Sequence, residues 1–114
     1  MKIFRFALPF AAALLIAAPA FAAPMDPMDN PADTAFLNAM KGMMMGMHQN
    51  MPTGDTDQDF VRMMMPHHQA AVDMAKAELQ YGQDPELKAL ATDIVAAQDK
   101  EIAAMKAWLA KHAK

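Results

Sequence analysis

Between positions 40 and 65 the chain places nine of its 14 methionines: Met40, Met43, Met44, Met45, Met47, Met51, Met63, Met64 and Met65. A thioether sulfur is a soft, uncharged donor that prefers Cu(I), and an imidazole accepts Cu(I) or Cu(II). Met40, Met43, Met44 and Met47 stand at i, i+3, i+4 and i+7, so several sulfurs can converge on one ion from a single helix, with His48 and Met51 close by. Met63 and His67 are four apart, as are Met64 and His68, and Met74 lies seven beyond His67. Each pair is a two-point clamp if the segment is helical. The chain has no cysteine, so a soft metal would have to be held without thiolates, which an oxidising compartment would favour. Copper is the predicted ligand, as Cu(I) before Cu(II), and Ag(I) shares the same chemistry.

The competing explanation for any one methionine is core filling, because the side chain is flexible and packs irregular gaps. It explains Met40, Met64 or Met105 singly better than it explains the cluster. The triplets Met43-Met44-Met45 and Met63-Met64-Met65 sweep about 200° of a helix, so one core cannot bury all three members. The periodicity puts Met45 and Met65 toward the polar side. For His67 and His68 the alternative to ligation is a hydrogen-bonded pair that holds two helices in register.

Three helices must position these residues. A Pro/Asp/Met-rich arm over 23–32 precedes the first, placed at about 34–50, with Asp33 or Thr34 as cap and Phe36, Met40, Met43, Met47 and Met51 along one side. The second spans about 57–81, from caps among Asp55, Thr56 and Asp57 to a stop at Gly82. Its apolar stripe is Met64, His68, Ala71, Ala75 and Leu79, with Phe60, Met63, His67 and Met74 beside it. Arg62, Gln69, Asp73, Lys76 and Gln80 form the opposite, polar side. Pro66 lies inside this helix, where a proline costs about 3 kcal/mol unless a kink is tolerated. Asp84-Pro85 starts a third helix at about 85–111, whose stripe runs Leu87, Leu90, Ala91, Ile94, Ile102, Met105, Trp108 and Leu109. Gln98, Glu101 and His112 fall in the same sector, so Gln98 and Glu101 need polar partners across the interface. His67 and His68 are the candidates: with either as a metal ligand, Glu101 is a second-shell acceptor for its other ring nitrogen, and Gln98, Met105 and His112 are second-shell or structural contacts. No segment alternates like a strand. The predicted fold is all-α, a three-helix unit of four-helix-bundle type with antiparallel helices and short loops, which a homodimer would complete.

The head of the chain reads as a secretory signal: Lys2 and Arg5, an apolar run from Phe6 to Ala18, and Ala20-Phe21-Ala22 as a small-x-small cleavage site. The run is too short for a membrane span. Cleavage would leave about 92 residues, one domain with a modest core, in the periplasm or outside the cell. Losing Lys2 and Arg5 takes the formal charge from −3 to −5, and the remaining lysines are dispersed, which argues against nucleic acid as a partner. A di-iron centre needs paired Glu-x-x-His motifs, and the chain has none. No nucleophile, base and orienter stand together, so an enzyme is not expected.

The string Asp59-Phe60-Val61-Arg62-Met63-Met64-Met65-Pro66-His67-His68-Gln69-Ala70-Ala71-Val72-Asp73-Met74-Ala75 resembles the signature of the domain-of-unknown-function family 305. Tyr81-Gly82, Leu90-Ala91, Ala97-Gln98 with Glu101-Ile102, and Met105 with Trp108-Leu109 follow in that family's order, so the likeness covers about residues 40–112. The resemblance implies a ferritin-like helical bundle, usually exported, in a family that includes a cyanobacterial periplasmic copper-binding protein. By motif it marks Met64, His67, His68, Met74, Gln98, Glu101 and Met105, while the Met43 to Met47 cluster is a richer version of a looser Met/His segment. The leading expectation is a copper buffer or carrier that serves copper-exporting or copper-accepting proteins. The alternatives are a metal-free module docking a partner through pliable methionines, and a thioether scavenger of oxidants.

Overall fold

The computed structural model describes residues 29–112 and consists there of α1 (Pro31–Gln49), α2 (Thr56–Tyr81) and α3 (Pro85–His112). The signal segment at 1–22 and most of the arm lie outside the described residues. The all-α expectation holds. No helix among the described residues is long and apolar enough to cross a membrane.

Capping explains where the helices start. Asp55 accepts from the Gln58 amide at 3.2 Å, and Asp84 accepts from Glu86 N and Leu87 N at 2.9 and 3.0 Å with Pro85 next in line. Both are short polar side chains satisfying the donors that a helix leaves free at its first turn. α1 starts three residues earlier than its sequence suggests. Asn30, not Asp33 or Thr34, is the cap and accepts from Ala32 N at 3.0 Å. Pro31, read as part of the arm, is the first helical residue, a position where its missing N–H costs nothing.

The three helices are antiparallel in sequence order, and α2 is central: α1 and α3 each pack on it and not on each other. α2 is therefore buried on two sectors. Val61, Val72 and Ala75 turn to α3, while Ala70 and Ala77 turn to α1. The polar side expected for α2 is thus only partly a solvent side, because Asp73 and Gln69 border the α1 interface. Antiparallel register against α1 is set where Gly46 meets Pro66, and Ala39 with Asp73 and Ala35 with Ala77 follow the same spacing.

The face that α1 turns to α2 differs from the expected methionine stripe. Ala39, Gly42, Met43, Gly46 and Asn50 line the contact, and Ala39 is the helix's buried residue. Small residues are there because the helices come close: a Cβ added at Gly46 would sit 2.7 Å from Pro66 Cβ and 2.8 Å from its Cγ. Pro66 does not end α2, which runs through it unbroken, and its ring forms the surface on which Gly46 rests. On α3, Ala91 and Ile102 are buried as expected, but Leu87 and Leu90 from the same stripe are 52% and 54% exposed. They lie to one side of the buried Ala91, on an open groove beside Met74 and Glu78 that α2 alone does not cover.

Candidate metal centre

A layer with α2 in the middle has two broad faces, and helical phase distributes the candidate ligands between them. On α1, Met40, Met44 and Met47 fall on one flank, next to Phe36, at positions 0, 4 and 7 of a helical stripe about 10 Å long; Met51, expected on the same stripe, lies beyond the helix end, past the Asn50 cap. Phe36 lines the same apolar groove as Met74, Leu87, Leu90 and Ile94, so this flank of α1 and the Met74 side of α2 open on one face. Phe60, Met63 and His67 share that side of α2 by phase. The Gly46 to Pro66 register then sets Met47 level with the turn between Met63 and His67. Met47 and Met63 are half-buried, whereas His67, Met40, Met44, Met51 and Met74 are exposed. We call this side the methionine face. His48 is exposed at its outer edge, one turn from Met44.

The other candidates point elsewhere. Met64 and His68 turn to α3, Met105 of α3 turns to α2, and all three are half-buried. His68 ties the two helices together: its Nε2 lies 2.5 Å from Glu101 Oε2, and its Nδ1 lies 3.0 Å from the carbonyl of Met64. Both ring nitrogens already face an oxygen within the helix pair, so an ion at either one would have to displace Glu101 or the Met64 carbonyl, and this geometry favours the register-holding reading of His68. The Glu101 partner was legible in the sequence. The paired role for His67 was not correct: it is exposed, one residue further round α2, between the sectors covered by α1 and α3. Gln98 is half-buried and hydrogen-bonds neither histidine among the described residues. His112 stacks on Trp108, ring centroids 4.2 Å apart, and its Nδ1 lies 2.7 Å from the Trp108 carbonyl, which makes it a structural end-piece of α3.

Met45 is exposed as expected, but Met65 is half-buried. It lines, with Met43, a groove of about 300 Å³ on the face opposite the methionine face. The phase of Met65 was read correctly; its surroundings were not, because α1 and α3 both border what a single helix would present to water.

Sequence reading also missed Asp59. Its carboxylate accepts from Thr53 Oγ1 at 2.7 Å, from Thr53 N at 2.9 Å and from Gly54 N at 3.0 Å. Gly54 has φ 95, a left-handed conformation that glycine adopts without strain. The Thr53 hydroxyl first, then the Thr53 amide, and after them the Gly54 amide and the Arg62 charge, hold the Asp59 carboxyl below its ordinary 3.8 against an opposing effect of desolvation. This clasp fixes the loop that sets α1 against α2. An aspartate four residues into a helix after Thr-Gly was the available signal.

Among the described residues no three His, Asp or Glu side chains gather where they could hold a metal ion. The fold and this distribution of donors define a class: a small all-α, three-helix unit whose distinctive surface is made of thioethers. A family model described as a domain of unknown function, DUF305, matches residues 17–112, and the chain belongs to that family. It is also 40% identical over 53 residues to an uncharacterized protein, L153, of Acanthamoeba polyphaga mimivirus. That match covers 46% of this chain and 35% of the viral protein, so the chain spans about a third of that relative's length.

Proposed function

We propose that the protein binds a soft cation, Cu(I) and by the same chemistry Ag(I), through methionine and histidine side chains on the methionine face, and acts without catalysis as a buffer or carrier in an exported compartment. The observation that carries the reading is the exposure of thioethers: Met44 and Met51 are 66% and 65% accessible, and Met40 is 48%. An apolar side chain left in water gains nothing from the hydrophobic effect, so packing does not account for these residues, whereas ligation to a thiophilic ion does. Met47, Met63 and His67 are the central ligands of this reading, being level with one another across two helices. Met40, Met44, His48 and Met74 offer further donors along the same face, with the exposed Met51 just past the end of α1, the arrangement a carrier needs to pass an ion to a copper-exporting or copper-accepting protein.

The test is a competition titration of the processed protein with Cu(I) under reducing, anaerobic conditions. The expected result is binding well below the micromolar range, weakened at least tenfold by M47L, M63L and H67A together with helicity retained. Binding no tighter than about the micromolar range would remove the proposal.

A second reading, a metal-independent docking module, is favoured by one observation. The groove lined by Phe36, Met74, Leu87, Leu90 and Ile94 is apolar and open, and a partner protein or a second copy of the chain would cover it. A complex that forms equally with and without metal, and that L87S and L90S abolish, supports that reading over the first.

A further inference from the structure

The groove on the opposite face carries a second set of donors that the methionine face does not use. Met43 lines it from α1 and Met65 from α2, together with Ala39, Gly42, Gly46 and Pro66 and with Ile102 from α3. We propose that Met43 and Met65 form a separate soft-metal site, holding one Cu(I) or Ag(I) ion between α1 and α2. The inference rests on the reading that the chain binds soft cations, and assigns it a second location.

Three observations support it. Two half-buried methionines line one groove of about 300 Å³ that is open to the surface, so an ion can reach their sulfurs without unpacking a core. The polar groups on the rim are already engaged: Gln69 Nε2 donates to Asp73 Oδ1 at 3.0 Å, and Asn50 Nδ2 donates to the Gly46 carbonyl at 2.7 Å. Asp73 and Lys106 oppose one another in charge along the same rim, so the groove offers no net field to attract a hard divalent ion, and sulfur is what distinguishes it. Finally, the donors are held in place. Met43 lies one turn before Gly46, Met65 adjoins Pro66, and the Gly46 to Pro66 contact fixes the two helices at that level. Monovalent d10 ions accept two-coordinate surroundings, which a thioether from each helix supplies.

Silver alone, added to the protein and followed by native mass spectrometry, tests the assignment, with hydrogen peroxide footprinting of each methionine as an independent readout. The variant M47L/M63L/H67A is expected to retain one tightly bound Ag(I), and that ion is expected to disappear when M43L and M65L are added. Leucine keeps the volume, so folding should survive. Sulfoxide formation at Met43 and Met65 should slow severalfold on adding one equivalent of Ag(I) to the first variant. If the wild type binds Ag(I) but the first variant binds none, or if its last ion survives M43L/M65L, this second site is overturned and the methionine-face proposal stands. If the wild type binds none, both fail.

Discussion

Asp59 shows how one side chain can govern the placement of two helices. Its carboxylate gathers three donors from Thr53 and Gly54, and these favour the ionised form, holding its pKa below 3.8. A group whose folded pKa is depressed contributes stability that is present above its unfolded value and lost as pH falls through the folded one. Wild type should therefore lose stability as pH drops below about 4, and D59N should show a shallower slope over that window and lower stability at neutral pH. Urea denaturation at a series of pH values between about 5 and 2 reads this; parallel slopes for the two proteins would show that the clasp does not form. The residue scale also limits what His68 can do. Its partner Glu101 is 60% exposed, and exposed pairs are typically worth about 0.2–1 kcal/mol. The pair selects the register of α2 against α3 more than it stabilises the fold.

At the scale of elements, the decisive contact is between a glycine and a proline. In an open helix, glycine to alanine is favourable by about 0.8–1.0 kcal/mol, and Gly42, with nothing within 4 Å of an added Cβ, should follow that rule. Gly46 should reverse it. Its new methyl would meet the rigid Pro66 ring at 2.7 Å, and overpacking of that kind costs typically about 1–3 kcal/mol. Thermal or urea unfolding of G42A and G46A should move in opposite directions; a stabilised G46A would show that α1 does not sit on Pro66. The same contact explains what was legible in the sequence. Helix number, the Asp55 and Asp84-Pro85 caps, the α2 stripe toward α3 and the Glu101 partner all follow from local signals, period and caps. The face of α1 was misjudged because periodicity weights large apolar residues, whereas Ala39, Gly42 and Gly46 face α2 for being small, a need set by a neighbour 20 residues away. The same cause hid the setting of Met65.

For the whole molecule, the arrangement leaves two unlike faces on one layer. The first has exposed thioethers beside an open apolar groove; the second has a polar rim around Met43 and Met65. A core whose fully buried side chain of any size is Val72 is small for three helices of this length, consistent with a scaffold that spends much of its apolar composition on its surface. The all-α, three-helix architecture was readable from type and order alone. The two-faced division of the methionines was not, since it depends on α2 lying between its partners. Everything functional here depends on sulfur being the ligand. X-ray absorption at the copper edge, on the reduced protein loaded with one equivalent of Cu(I), observes this directly. The account predicts a first shell dominated by sulfur, with at most one nitrogen from His67; a shell of nitrogen and oxygen alone would contradict it.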